Sequence, residues 1–209
     1  MGAWRSYLLK LWAKPVVAAF VLSPLAYLIY AALFDERLLG PNPAEALIRD
    51  TGELALRYLC VTLAITPLRV VSATPQLARF RRLMGLVTYT YAVCHVLAYS
   101  WLDMGFELAD IVEDIPKRPF ILVGFLAFVL LTPLAMTSFN AAIKTLGAKR
   151  WQWLHKSVYA IAGLGVLHFF WMRAGKQNFG EVSVYAAVLA VLLGWRLWRY
   201  LKNRQFRAS

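Results

Sequence analysis

The sequence predicts an all-α integral membrane protein whose six transmembrane helices form one bundle. Hydrophobic residues make up 60% of the chain and charged residues only 16%, whereas soluble domains contain roughly 45–50% apolar and about 25% charged residues. Apolar runs recur six times along the chain, close to the length of about 20 residues that a helix needs to cross the hydrocarbon core. We therefore expect residues 1–209 to form a single transmembrane domain.

The apolar runs predict the individual helices in order. They cover residues 15–34, 53–71, 83–102, 120–138, 151–172 and 182–200. The first run exceeds the 7–15 apolar residues of a cleaved signal peptide, so we interpret it as a retained span behind a basic N-terminus, residues 1–14. Arg57 interrupts the second run, and the preceding PAEALIRDTGE has the pattern of an amphipathic lead-in. A short basic tail, residues 201–209, follows the sixth run.

The distribution of charge predicts the orientation of the bundle, because lysine and arginine accumulate in cytoplasmic loops. They concentrate in the N-terminal segment, in the loops after spans two and four, and in the C-terminal tail. These residues are Arg5, Lys10, Lys14, Arg69, Arg79, Arg81, Arg82, Lys144, Lys149, Arg150, Arg199, Lys202, Arg204 and Arg207. Every acidic residue, from Asp35 to Glu181, falls on the other side, with Arg37, Arg49, Lys117, Arg118, Arg173 and Lys176. Both termini are therefore predicted to be cytoplasmic, and the net charge of +12 indicates topology, not nucleic-acid binding.

Two of the three histidines lie at similar depth in different spans. At about 1.5 Å per residue, His95 and His168 both fall in the outer half of a core about 30 Å thick. Imidazole is costly in hydrocarbon, so such histidines are functional candidates, and two of them can serve as axial ligands of one haem. We predict a haem between them, with Gly163, Gly165 and Gly85 letting the macrocycle approach the backbone. Helix packing is the alternative role of these glycines.

His155 lies near the inner surface, about 20 Å from His168 along the fifth span. On an ideal helix the two side chains point roughly 140° apart, unless the helix tilts or bends near the glycines. Two bis-histidine haems would need a fourth histidine. Arg82, like Arg81 and Arg69, is instead a candidate contact for a propionate or phosphate. A second haem, a flavin phosphate, a quinone carbonyl and an interfacial hydrogen bond all remain open for His155.

Three segments resemble a known family. They are LAITPLRVVSATPQLARFRRLMGL (63–86), YAVCHVLAYSWL (91–102) and LGAKRWQWLHKSVYAIAGLGVLHFFW (146–171). They resemble the MsrQ family, the haem-binding membrane subunits of bacterial MsrPQ methionine-sulfoxide reductase systems, which are similar in turn to ferric reductases and NADPH oxidases. The similarity runs from about residue 40 to the C-terminus, and all three histidines fall on family histidines.

The resemblance implies a b-type cytochrome of the bacterial inner membrane. It implies electron transfer outward to a periplasmic molybdopterin subunit, MsrP, which reduces methionine sulfoxide in oxidised proteins. It also implies the quinone pool as electron donor and FMN as a further cofactor.

The residues themselves limit the chemistry of the chain. No G-x-G-x-x-G fingerprint stands on a strand-to-helix turn, so we expect the chain to take electrons from a quinol or a separate flavin reductase and not from NADPH. No residue set for substrate catalysis is visible, and catalysis is expected on the partner subunit; whether the chain is an enzyme in its own right stays open. The outer acidic residues form either a docking face or a solvated surface: Asp103, Glu107, Asp110, Glu113 and Asp114.

Other function classes predict different features. A histidine-relay, proton-coupled transporter would be expected to contain intramembrane carboxylates, and the predicted spans place no Asp or Glu deep in the membrane. A self-contained metalloreductase for extracellular ferric or cupric ions would need a second haem. A structural assembly protein would give the histidines no role.

Overall fold

The computed structural model describes residue 7, residues 10–175 and residues 177–208, the last three of these without their side chains. Within this part of the chain all regular structure is helical, and six helical segments are long and apolar enough to cross a membrane. The chain is therefore a multi-pass, all-α membrane protein, which confirms the predicted fold class. Arg5, Lys176 and the side chain of Arg207, used above for orientation, lie outside the described residues, as do positions 1–6 and 8–9 of the basic N-terminus.

The helices follow one another with short connections. We number them α1 (Ala13–Phe34), α2 (Pro43–Val71), α3 (Phe80–Leu102), α4 (Leu108–Lys117), α5 (Pro119–Met136), α6 (Asn140–Leu146), α7 (Ala148–His155), α8 (Val158–Ala174) and α9 (Gly180–Ala208). Two 3-10 helices, Glu36–Leu39 and Pro75–Arg79, precede α2 and α3. The six spans are α1, α2, the segment Pro75–Leu102, α5, the segment Ala148–Ala174 and most of α9.

The second span begins ten residues earlier than the sequence predicts, so the predicted start at residue 53 is wrong. Asn42 caps α2, since its side chain accepts a hydrogen bond from the backbone N–H of Glu45 at 3.2 Å. Pro43 occupies the first turn, where its missing N–H costs nothing and its fixed φ favours the helix. The amphipathic lead-in is thus the first turns of α2, which brings Gly52 and Glu53 into the bundle.

The fifth span is two helices and not one. α7 ends at His155 and α8 begins at Val158. Between them the N–H groups of Lys156 and Ser157 donate to carbonyls only three residues back, at 3.1 Å each. The break therefore lies directly after His155 and not near the glycines, where a bend was considered. The angle calculated for an ideal helix does not apply to His155 and His168.

Two further helical segments differ from the sequence prediction. α4 lies between spans three and four, where the sequence indicated only an acidic loop. α9 continues to Ala208, through the residues expected to form a tail. Residues 200–208 contain neither proline nor glycine, so nothing in the local sequence stops the helix.

α2 is the central helix of the bundle, because it contributes to both clusters of buried apolar side chains. One cluster joins α2 to α5, α8 and α9 through residues such as Leu59, Leu131 and Ile161. The other joins α2 to α1 and α3 through residues such as Ile65 and Met84. The spaces that α2 leaves against its neighbours are the two cavities described next.

Candidate functional site

His95 on α3 and His168 on α8 meet inside the bundle. Their ring centroids are 6.0 Å apart and their planes are inclined by 75°. Both rings line a mainly apolar cavity of about 370 Å³ between α2, α3, α5 and α8, which we call the histidine-pair cavity. The structure thus brings together the two histidines that were predicted to share one cofactor.

The hydrogen bonds of the two rings determine their tautomers. Nδ1 of His95 donates to the carbonyl of Ile48 at 2.8 Å, and Nδ1 of His168 donates to the carbonyl of Phe120 at 2.6 Å. A carbonyl oxygen can only accept, so the proton of each neutral ring is on Nδ1. The Nε2 lone pair of each ring is then available, and this is the second-shell arrangement common among metal-binding histidines.

A glycine on the neighbouring helix makes room for each ring. A Cβ atom on Gly52 of α2 would lie 2.9 Å from ring atoms of His95, and one on Gly124 of α5 would lie 2.8 Å from His168. In both cases the glycine lies four residues after the carbonyl that accepts the Nδ1 hydrogen bond. The sequence analysis missed both residues, although each is the only glycine in its helix.

The three glycines singled out from the sequence lie elsewhere. Gly165 lines the histidine-pair cavity, with a built Cβ 3.5 Å from Leu56. Gly85 lines a second cavity. Gly163 is exposed, lines neither cavity and has nothing within 4 Å of a built Cβ. The structure therefore gives Gly163 no contact with a bound group.

The two imidazoles of the histidine-pair cavity suit a haem iron. Metal–imidazole bonds are about 2 Å long, and two such bonds plus the distance from each nitrogen to its ring centre account for a centroid separation of 6.0 Å. The volume of about 370 Å³ lies within the range of about 300–1,000 Å³ usual for ligand pockets. The donor set of two neutral imidazoles is that of a haem iron with two axial histidines.

His155 lines the second cavity, which has a volume of about 720 Å³. The predicted cations Arg69, Arg81 and Arg82 line it as well, and so do three that were not predicted: Lys156, Arg196 and Arg199. No Asp or Glu stands among the described residues that line this space. We call it the arginine cavity; its charge suits an anionic group such as a carboxylate or phosphate.

The hydrogen bonds of His155 differ from those of the histidine pair. Its Nε2 lies 3.2 Å from Oγ1 of Thr137, and that hydroxyl donates to the carbonyl of Pro133 at 2.6 Å. The threonine oxygen must therefore accept, so the proton of His155 is on Nε2 and the lone pair on Nδ1. Trp151 stacks on the ring, with centroids 3.9 Å apart.

The two cavities share a thin common wall. Leu59, Thr88 and Leu131 line both of them, and all three are buried, with at most 8% of their surface exposed. Groups bound in the two cavities would therefore be separated by about one layer of side chains.

Glu53 lies in α2, ten residues after the first residue of this helix, which is the second candidate span. It lines the histidine-pair cavity and follows Gly52, which contacts His95. Its Oε1 accepts hydrogen bonds from Arg57 at 2.8 Å and from Tyr185 at 3.1 Å.

α4 covers one end of the histidine-pair cavity, which Ile111 and Ile115 line from this helix. Asp114 anchors it, since Oδ2 accepts from the Tyr99 hydroxyl at 2.6 Å and Oδ1 accepts from Arg118 at 2.6 Å. The hydrogen bonds from Arg118, reinforced by Tyr99, lower the pKa of the Asp114 carboxyl.

The five acidic residues considered for docking thus have different environments. Asp103 lines the histidine-pair cavity, Asp114 holds α4 in place, and Glu113 forms an ion pair with Lys117. Glu107 and Asp110 are exposed.

Comparison with known proteins places these features in context. A family model described as "Ferric reductase like transmembrane component" matches residues 51–166. A protein of Polaromonas naphthalenivorans (strain CJ2), named "Protein-methionine-sulfoxide reductase heme-binding subunit MsrQ", is 62% identical over 100% of this chain and 96% of its own length. Proteins with the same name from Ralstonia nicotianae and Herminiimonas arsenicoxydans are 49% and 46% identical, over 87% and 93% of this chain and 84% and 89% of their own. No solved structure matches the chain.

Proposed function

The chain belongs to the MsrQ family of protein-methionine-sulfoxide reductase heme-binding subunits, within the ferric reductase like transmembrane components, and on this basis we propose that it is a b-type cytochrome subunit. It passes electrons from the quinone pool, or from a cytosolic flavin reductase, across the bacterial inner membrane. The acceptor is a periplasmic molybdopterin subunit that reduces methionine sulfoxide in oxidised proteins.

The geometry of His95 and His168 is the observation that carries this proposal. Each ring presents an Nε2 lone pair, because a backbone carbonyl holds the proton on Nδ1. His95 and His168 would hold a haem b iron, and the bound haem would supply one-electron oxidation and reduction. The mainly apolar lining would limit the access of water. Exclusion of solvent and hydrogen bonds to the two histidines would both influence the reduction potential of the bound haem.

The arginine cavity supports a second anionic cofactor on the other side of the shared wall. Arg69, Arg81 and Arg82 would contact the propionates of a second haem or the phosphate of FMN. If His155 held the iron of a second haem, it would do so through Nδ1, because its Nε2 proton is hydrogen-bonded to Thr137. Two redox groups separated by one side-chain layer would give electrons a direct route through the bundle.

The division of labour between subunits follows from what the two cavities contain. Their residues provide imidazoles, cations and apolar walls, which suit the binding of redox groups and not the handling of a protein substrate. The relatives are named as heme-binding subunits, which supports the assignment of sulfoxide chemistry to a partner.

A proton-coupled transporter would be expected to contain a carboxylate within a span, and Glu53 in α2 is the candidate for that role. However, its Oε1 is held by Arg57 and Tyr185, and the Nδ1 protons of His95 and His168 are held by backbone carbonyls. These hydrogen bonds do not form a chain from Glu53 to the histidines. The electron-transfer function explains the same residues better.

A bleaching experiment tests the proposed direction of electron flow. The purified chain in liposomes is reduced, and the α band of the haem is followed while an MsrP-like partner and protein-bound methionine sulfoxide are added. We expect the band to bleach only when both are present. A band that stays reduced would contradict the proposal, and bleaching by ferric citrate without the partner would favour the metalloreductase alternative.

A further inference from the structure

Arg57 is a charged residue on the outside of the bundle at membrane depth. It is the central residue of α2, about 21 Å from either end of that helix. Its side chain is 54% exposed on the outer surface of the bundle, where lipid or a bound molecule would contact it. Charged residues inside spans usually face the bundle interior or a polar cavity and mark functional sites.

Arg57 forms a small polar cluster with Glu53 and Tyr185, where α2 meets α9. Nη2 of Arg57 donates to Oε1 of Glu53 at 2.8 Å, and Nε donates to the Tyr185 hydroxyl at 3.3 Å. The Tyr185 hydroxyl in turn donates to the same Oε1 at 3.1 Å. Within the described part of the chain, Oε2 of Glu53 and Nη1 of Arg57 have no hydrogen-bond partner. One acceptor and one donor therefore remain side by side.

Arg196, one of two arginines of α9 that line the arginine cavity, shows how backbone carbonyls can satisfy an arginine in this bundle. Its guanidinium donates to the carbonyl of Leu192 at 2.9 Å and to the carbonyl of Leu63 on α2. Tyr159 covers one face of the group, 5.9 Å away. Arg57 has no comparable set of backbone acceptors, so the rest of its hydrogen-bonding capacity is open to a ligand.

The chemistry of the cluster selects the class of ligand. The ligand must dissolve in the membrane, accept a hydrogen bond from a guanidinium and donate one to a carboxylate. A lipid phosphate fits poorly, because Glu53 would repel it and because phosphates lie at the membrane surface. A quinol fits, since one ring oxygen can donate to Glu53 and the carbonyl of the oxidised form can accept from Arg57.

We propose that Glu53, Arg57 and Tyr185 form a binding site for the ring of a quinone or quinol that enters from the lipid between α2 and α9. The inference rests on the proposed function and places the quinone beside the histidine-pair cavity, at the contact between α2 and α9, and not in the arginine cavity. Glu53 lines the histidine-pair cavity. Tyr185 packs against Phe169, at 6.0 Å between ring centroids, and Phe169 also lines that cavity.

Direct binding tests the site independently of electron transfer. The holoprotein is placed in quinone-free nanodiscs, and decylubiquinone binding is measured by calorimetry for the wild type, Arg57→Gln, Glu53→Gln and Tyr185→Phe. Arg37→Gln on the outer 3-10 helix is the control, since it removes an exposed arginine away from both cavities. The haem spectrum of each variant reports whether it is folded and loaded.

We expect one decylubiquinone per wild-type chain and binding at least about tenfold weaker in Arg57→Gln and Glu53→Gln, because each variant loses a charged hydrogen bond. Tyr185→Phe should weaken binding less, and Arg37→Gln should bind like the wild type. An azidoquinone probe should label residues of α2 next to Arg57 or residues of α9 next to Tyr185, and not the parts of these helices that line the arginine cavity.

Two results would overturn the site. The first is an unchanged affinity for decylubiquinone in both Arg57→Gln and Glu53→Gln. The second is labelling confined to peptides of the arginine cavity. A wild-type chain that binds decylubiquinone but holds no haem would contradict the proposed function and leave the binding site standing.

Discussion

At the scale of single residues, the environment of each paired histidine depends on two features of a neighbouring helix. One is a carbonyl that fixes the Nδ1 proton, and the other is a glycine one turn later that admits the ring. Gly52 serves His95, and Gly124 serves His168. Because the contact is made across helices, a side chain at either glycine would displace the ring from its carbonyl and turn the Nε2 lone pair.

Gly52→Ala and Gly124→Ala should therefore lower the haem content of the purified protein to less than about half. A Cβ placed 2.8–2.9 Å from an imidazole cannot be accommodated without movement of the ring, and the ring is packed inside the bundle. The measurement is haem per chain by absorption. Gly163→Ala is the matched control, since nothing lies within 4 Å of its built Cβ. Equal haem content in all three variants would contradict the role of the two glycines.

The functional residues could be predicted only in part. The depth of His95 and His168 follows from counting residues along two spans, so their meeting could be anticipated. The role of Gly52 and Gly124 could not, because a contact between helices leaves no periodic signal in a single sequence. The clustering of His155 with arginines was anticipated for Arg69, Arg81 and Arg82, but not for Arg196 and Arg199, which come from α9.

At the scale of elements, a side chain from α3 inserts into the backbone hydrogen bonding of α1 next to Pro24. Pro24 lies inside α1. The Tyr91 hydroxyl accepts from the N–H of Leu25 at 3.1 Å and donates to the carbonyl of Val21 at 2.9 Å. It thus bridges a donor and an acceptor of one helical turn, as an inserted side chain can do. Tyr91 is fully buried, so this bridge also ties α1 to α3.

Tyr91→Phe should destabilise the bundle by about 1–3 kcal/mol, the usual effect of leaving a buried donor or acceptor unsatisfied. The change is measured by thermal unfolding in detergent. Tyr30→Phe is the control, because Tyr30 is in the same region but 55% exposed. A melting temperature of Tyr91→Phe equal to that of the control would show that the bridge contributes nothing.

The anchoring of α4 should depend on pH through Asp114. Its pKa is lowered in the folded protein by Arg118 and Tyr99, so the stabilisation is complete above the ordinary aspartate pKa of about 3.9. It is lost as the pH falls through the lower folded pKa. Hydrogen exchange of α4, taken relative to the intrinsic amide exchange rate at each pH, should therefore be slow at neutral pH and accelerate in acid.

Asp114→Asn should speed that exchange at neutral pH and remove most of its acid dependence, because the charged partner of Arg118 is gone. Glu113→Gln is the control, since the Glu113–Lys117 pair is exposed and such pairs contribute little. Acid-dependent exchange that is unchanged in Asp114→Asn would contradict the anchoring role of the carboxylate.

The element boundaries show what hydropathy can and cannot predict. All six spans could be predicted, because membrane thickness imposes a length that each apolar run must meet. The start of α2 could not be predicted from hydropathy, since Arg49, Asp50 and Glu53 lie within its first turns. The local signals, Asn42 as cap and Pro43 in the first turn, were present in the sequence and predict the observed start.

At the scale of the whole molecule, the bundle contains two cavities of different character along one axis. The histidine-pair cavity is mainly apolar and is covered by α4, whereas the arginine cavity is cationic and lies where basic loops meet. With the orientation that the basic loops predict, the first cavity faces the periplasm and the second faces the cytoplasm. This arrangement supports outward electron transfer that ends at the histidine-pair cavity. A quinol at Glu53 would deliver electrons to that cavity directly, whereas a cytosolic flavin reductase would deliver them through the arginine cavity and the shared wall.

The most direct test of this account is a reduced-minus-oxidised absorption spectrum of the purified protein, with haem quantified per chain. It should be recorded for the wild type, His95→Ala, His168→Ala and His155→Ala. We predict a b-type α band in the wild type and its loss in His95→Ala and His168→Ala. The band should be retained in His155→Ala, and a fall in haem per chain in that variant would indicate a second haem. A colourless wild-type protein after expression with ample haem, or an unchanged band in His168→Ala, would contradict the account.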